Sequence, residues 1–115
     1  MRIEVRGRNF EVTEELRDHV SKRFARTARQ VSGLAQLEVE LMEERNPAIA
    51  DRYVAEATLF LKGATLRAHE ASPEMLHSIH EIAEDIRRQV KRHREKRRGR
   101  ASTRRELGRW RGRTA

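Results

Sequence analysis

Twelve of the chain's 26 lysines and arginines fall in residues 91–115, where only Glu95 and Glu106 oppose them. Residues 1–90 hold the other 14 cations and 16 of the 18 carboxylates, so the formal charge of +8 belongs to one end of the molecule. A run such as Lys91-Arg92-His93-Arg94-Glu95-Lys96-Arg97-Arg98 repels itself until a polyanion compensates it. Phosphate backbones do so with a gain in affinity, because each neutralised phosphate releases counterions. Phosphate binding is thus the chemistry these residue types at this density can do. Arg outnumbers Lys 22 to 4, which suits bidentate phosphate contacts and is equally the mark of a GC-rich genome.

Other chemistry finds little to build on. His77 with Glu81 and His80 with Glu84 are i,i+4 pairs, and His69 adjoins Glu70. A hydrolytic zinc site on a helix needs two histidines four apart on one face, whereas His77 and His80 are three apart. No nucleophile, base and oxyanion donor converge in a motif, and there is no glycine-rich phosphate loop. We therefore expect no catalytic residues, no metal, no cofactor and no small-molecule substrate. With no cysteine, disulfides and thiolate metal sites are unavailable.

The elements that must position the cations follow from periodicity. A chain of 115 residues supports one domain with a modest core, roughly 60–65% of the unfolded surface of its body being buried. Ile3 and Val5 alternate with Arg2, Glu4 and Arg6 as a short strand ended by Gly7. Thr13 caps a helix carrying Leu16, Val20, Phe24, Thr27 and Val31, with Glu14 and Glu15 in its first turn and Ser32-Gly33 at its end. Leu37, Val39 and Leu41 set a period of two for a second strand. After the Asn46-Pro47 loop, Tyr53, Ala55, Ala57, Leu59 and Leu61 set a third, and Gly63 turns a hairpin into a fourth with Leu66 and Ala68 inward. Ser72 as N-cap and Pro73 in the first turn open a last helix with the stripe Leu76, Ile79, Ala83, Ile86 and Val90.

The fold class is therefore α+β, in the order β-α-β-β-β-α. A right-handed crossover makes the first two strands parallel and short connections make the rest antiparallel, giving a four-stranded mixed sheet with two helices packed on one face. The other face is left to water and carries Arg2, Glu4, Arg6, Glu38, Glu40, Glu56, Lys62, Arg67 and His69, a mixed set with an acidic middle. Phosphate should avoid it. Its one outward aromatic, Phe60, also separates it from sheet-based RNA readers. We place the domain at residues 1–96 and a basic tail, expected to be disordered when free, at 97–115. With no signal peptide and no apolar run of membrane-spanning length, the chain is expected to be soluble and cytoplasmic, without a membrane partner.

The candidate phosphate contacts are helical. On the first helix they are Arg17, Lys22, Arg23, Arg26 and Arg29, with Lys22, Arg26 and Arg29 on the solvent side and Arg23 nearer the sheet. On the last they are Arg88, Lys91, Arg92, Arg94 and Lys96, after an acidic half with Glu74, Glu81, Glu84 and Asp85. Acid early and base late also complement the macrodipole of any helix. Twelve cations exceed what one helix end needs, and most of the excess lies beyond Gly99, where the helix is expected to end. In the tail, Arg97, Arg98, Arg100, Arg104 and Arg105 are candidate contacts, and Trp110, between Arg109 and Arg111, could stack on a base.

In register over residues 2–96, the chain resembles the ribosome hibernation-promoting factors, also called ribosome-associated inhibitors or sigma-54 modulation proteins. The matching residues are Asn9, Glu11, Val12, Thr13, Leu16, Arg17, Val20 and Phe24, the loop Asn46-Pro47-Ala48-Ile49-Ala50-Asp51, the stretch Thr65-Leu66-Arg67-Ala68, and Met75 with Ile79. The resemblance implies the same topology and binding to ribosomal RNA of the small ribosomal subunit at the decoding region, across the tRNA and mRNA sites, so that translation stops. Arg17, Arg23 and Arg26 match positions where the family is commonly basic. Where the family begins its last helix with Asp-Met-Tyr and sets an acidic residue one turn on, this chain has Glu74-Met75-Leu76 and His80, so the polar handle of a tyrosine hydroxyl is lost. The second, self-associating domain of long members has no counterpart, which implies the short type. Two alternatives stay open: a general double-stranded-RNA-binding module, and a transcription modulator that interacts with a sigma factor.

Overall fold

The computed structural model describes the backbone of residues 1–113 and the side chains of residues 1–99. Its elements are β1 (Arg2–Arg8), α1 (Glu14–Arg23), α2 (Ala25–Gln30), β2 (Gln36–Glu43), β3 (Tyr53–Leu61), β4 (Ala64–Ser72) and α3 (Met75–Arg113). The sheet order is β1-β2-β3-β4, with β1 parallel to β2 and the other two pairings antiparallel, as the alternation and the crossover rule predict.

The core forms where the sheet's inward residues meet the helices. Leu37, Val39, Leu41, Ala55, Ala57 and Leu59 from the two central strands pack with Val20 and Phe24 and with Ile79, Ile82, Ala83, Ile86 and Val90 of α3. Thr13 caps α1, its hydroxyl accepting from the Leu16 amide at 3.2 Å. The predicted single first helix is bent at Phe24, whose backbone (φ −94°, ψ 4°) leaves the α region. The i,i+4 bonds Phe24 N–H to Val20 O and Ala28 N–H to Phe24 O still run through the bend, so α1 and α2 keep one continuous set of faces.

Three local expectations need correction. Leu76 is not in the buried stripe: it is 51% exposed, and Met75 and Ile82 take the inward positions beside Ile79 and Ile86. One residue is a 100° step round a helix, enough to move Leu76 off the core. Ser72 is not the N-cap of α3. It ends β4, and Glu74 is the half-in residue, its carbonyl accepting from the Ser78 amide at 3.1 Å. Ser72 instead forms a buried link: its hydroxyl lies 2.7 Å from that of Ser78, which donates to Tyr53 O at 2.7 Å and so ties α3 to β3. Finally, α3 does not end at Gly99 but continues to Arg113. A glycine inside a helix costs only about 1 kcal/mol against alanine, and the arginines, lysines and glutamate around Gly99 are good helix formers.

Two further features hold the sheet's outline. A Cβ on Gly7 would sit 2.0 Å from Phe10 O, so the chain can turn back over the end of β1 only with glycine there. Asn9, in that same turn, has φ 53°, a conformation asparagine tolerates better than most residues. Each edge strand is capped from a helix: Arg17 donates to Val5 O of β1 at 3.0 Å, and Gln89 of α3 donates to Arg67 O of β4 at 2.7 Å. These bonds occupy carbonyls that an extra strand would otherwise pair with.

Candidate nucleic-acid interface

Along α1 and α2, His19, Arg23, Arg26 and Gln30 recur at i, i+4, i+7 and i+11, a single stripe on one flank of the bent helix. Along α3 the corresponding stripe is His80, Glu84, Arg87, Lys91, Arg94 and Arg98. The two stripes face each other across a seam. At one end Gln30 lines a depression with Arg87, Lys91, Arg94, Glu95 and Arg98. At the other, His19 and His80 lie near enough for the charge of one to disfavour that of the other.

Most of these cations are free to take a ligand. Lys22, Arg23, Arg26 and Arg29 on the first helix pair, and Arg88, Lys91, Arg92, Arg94, Lys96, Arg97 and Arg98 on α3, are exposed. None is in a salt bridge among the described residues. Arg17 is the exception: besides the Val5 carbonyl it approaches Glu14 at 3.9 Å, on the flank away from α3. The structure therefore ties it to the β1 edge and does not bring it to the seam. Arg100, Arg104, Arg105 and Trp110 lie outside the residues whose side chains are described.

Sequence reasoning missed Arg87. It lines the seam, and its guanidinium bonds Glu84 at 2.9 Å. That hydrogen bond holds the Glu84 carboxyl below its ordinary value, opposed by burial and reinforced by the charges of Arg87, His80 and Arg88. The spacing of Arg87 with Lys91, Arg94 and Arg98 was legible as one stripe. It was hidden by reading the charges as a run along the chain when the helix sorts them by face.

His19 was missed as well. Burial first, then the charges of Arg23, Lys22 and His80, push its pKa down, and its Nε2 is buried with no protein partner. Burial and the neighbouring cations both disfavour its charged form. His77 pairs with Glu81 at 3.8 Å on an exposed face, and among the described residues no three metal-ligating side chains come together. No helix of the described residues is long and apolar enough to cross a membrane.

The far side of the sheet has the opposite character. Register places Arg6, Glu40, Glu56 and His69 in one row across the strands, and Glu4, Glu38, Thr58 and Arg67 in the next. Glu40 and Glu56 are directly opposite each other, and like charges so placed repel. Arg6 answers through Glu38 at 3.8 Å, and His69 lies 3.5 Å from Glu56. The body is thus polarised, with carboxylates at the centre of the sheet's open face and cations along the helical seam.

Comparison with known proteins gives the chain's family and agrees with its fold. The family model described as "Sigma 54 modulation protein / S30EA ribosomal protein" matches residues 3–98. A ribosome hibernation promotion factor of Picosynechococcus is 30% identical over 97 residues, covering 84% of this chain and 50% of its own length. The chain thus spans half of that relative. A ribosome hibernation promoting factor of Salmonella typhimurium is 30% identical over 96 residues and is covered over 96% of its length. Among solved structures, the N-terminal domain of Thermus thermophilus Protein Y superposes with a TM-score of 0.69 at 31% identity, over 81% of this chain and 99% of that one. A ribosomal subunit interface protein from Coxiella burnetii shares the fold, with a TM-score of 0.70 at 16% identity over 83% of this chain and 99% of its own. With the match running from β1 well into α3, this chain belongs to the Sigma 54 modulation protein / S30EA ribosomal protein family.

Proposed function

We propose that this chain is a ribosome hibernation factor: it binds the small ribosomal subunit at the decoding region through phosphates of ribosomal RNA, occupies the tRNA and mRNA sites, and silences translation without catalysing a reaction. The observation that carries this reading is the polarity of the body. The stripe of α1–α2 that carries Arg23 and Arg26 meets the α3 cations through Gln30, while carboxylates occupy the middle of the opposite sheet face. A polyanion thus has one preferred way to approach. The hibernation role comes from the printed names of the relatives, and the assignment to ribosomal RNA rests on the charge and on that kinship together.

In this reading residues 1–96 supply the address and 97–115 add affinity. The latter segment holds eight of the cations and acts as an appended affinity element. The protein works in the cytoplasm, where ribosomes are. The test is sedimentation of the chain with purified small subunits, run beside free duplex RNA and a sigma factor at moderate salt. Co-migration with the subunit and not with the other two is expected. Migration free of subunits would sink the reading, and preferential capture by duplex RNA or by the sigma factor would replace it.

A further inference from the structure

The cations of α3 occupy two flanks of the helix, and only one belongs to the seam. Lys91 and Arg94 look toward α2 together with Arg87 and Arg98. Arg92 and Lys96 lie on the far flank, where they line a separate depression with Leu66, Gln89 and His93 beside the β4 edge. At 100° per residue the mean directions of the two pairs are roughly 150° apart, and the body of the helix, about 10 Å across, stands between them. A single phosphate strand running along the seam cannot also reach the β4 flank. Arg92 and Lys96 are exposed and in no salt bridge among the described residues. Asp85, the carboxylate on that flank, approaches Gln89 at 3.2 Å. The cations there are not answering a neighbouring acid.

We propose that α3 engages two separate phosphate backbones of ribosomal RNA at once, one in the seam through Lys91 and Arg94 and a second along the β4 edge through Arg92 and Lys96. The inference rests on the ribosomal-RNA reading above and deepens it: the partner is a cleft with phosphate on both walls, not a single strand or a flat surface. The helix enters such a cleft edge-on, leaving the acidic sheet face away from the seam-side wall. Gln89, bonded to the Arg67 carbonyl, fixes the pitch of α3 against β4 and so sets where the second wall must lie.

The test compares, on purified small subunits and in the full chain, the pair Lys91→Gln with Arg94→Gln against the pair Arg92→Gln with Lys96→Gln. Each pair removes two phosphate contacts, so each should lower the slope of log affinity against log salt by about 1.4 to 1.8. Between 50 and 200 mM salt that is about tenfold less loss of affinity. The four changes together should lower the slope by the sum. The charge-keeping pair Arg92→Lys with Lys96→Arg should hold the parent slope. If the β4-flank pair leaves the slope unchanged while the seam pair lowers it, the second backbone does not exist and the single-surface reading stands. A lowered slope for the β4 pair alone would also overturn the proposal. If the unaltered chain fails to sediment with small subunits, the ribosomal reading falls first.

Discussion

Neutralising the seam itself gives the most quantitative prediction. Arg23→Gln, Arg26→Gln, Lys91→Gln and Arg94→Gln remove two cations from each wall, all exposed and none in a salt bridge among the described residues. The fold should tolerate the set, since surface changes away from caps and packed networks usually shift stability by within about 0.5 kcal/mol. Binding should not tolerate it. Four lost phosphate contacts lower the salt slope by about 2.8 to 3.6, according to whether the RNA met is single- or double-stranded. Over a fourfold change in salt this corresponds to a difference of roughly 50- to 150-fold in how far affinity falls. The assay is a titration of labelled small subunits at several salt concentrations, with Arg2→Gln and Arg67→Gln on the open sheet face as the matched control. An unchanged slope for the seam variant, or an equal drop for the sheet control, would refute the claim that the seam is where phosphate sits.

Other consequences are structural or segmental. Ser78→Ala removes the buried hydroxyl that donates to Tyr53 O and meets Ser72; Ser72 keeps its bonds to Glu74, so the lost bonds should cost about 0.5–1.5 kcal/mol each in denaturant melts. Gly7→Ala should destabilise at least as much as an overpacked core, about 1–3 kcal/mol, because the new methyl collides with the Phe10 carbonyl; an unshifted midpoint would mean the turn relaxes freely. Stability should fall in two steps on acidification. His19, lowered from 6.5, is neutral in the fold while the unfolded chain takes up a proton as pH drops through that value, and Glu84, lowered from 4.5, loses its stabilising charge as pH falls below its folded value. His19→Gln should abolish the upper step, and its persistence would exclude His19 as the cause. Deleting residues 97–115, which also takes Arg98 from the seam, should weaken subunit binding and flatten its salt dependence; an unaltered slope would mean that the segment hangs in solvent.

Much of the fold could be read from the sequence because its signals are short-ranged. Alternation in β2 and β3, Thr13 before Glu14 and Glu15, and glycine at 63 each act within a few residues, and the crossover rule then leaves one compact arrangement. What escaped depends on position around a helix or on distant partners. Leu76 and Met75 are adjacent and both apolar, so only the direction of α3 against β3 decides which is buried. Ser72 and Ser78 meet Tyr53 from another element. Arg17 looked like one more basic residue of α1, yet the β1 carbonyl in front of it makes it an edge clasp. The charge run at 91–98 was plain as composition; its division between a seam flank and a β4 flank appears only once α2 and β4 stand on either side of α3.

The central claim is that the helical seam, and not the sheet, meets the ribosome at its decoding region. A reconstruction of the chain bound to the small subunit tests it most directly. It should place Arg23, Arg26, Lys91 and Arg94 against ribosomal RNA phosphates in the tRNA and mRNA path, with Glu40 and Glu56 turned away from RNA. Density elsewhere on the subunit, or the acidic row of the sheet packed on RNA, would contradict the account.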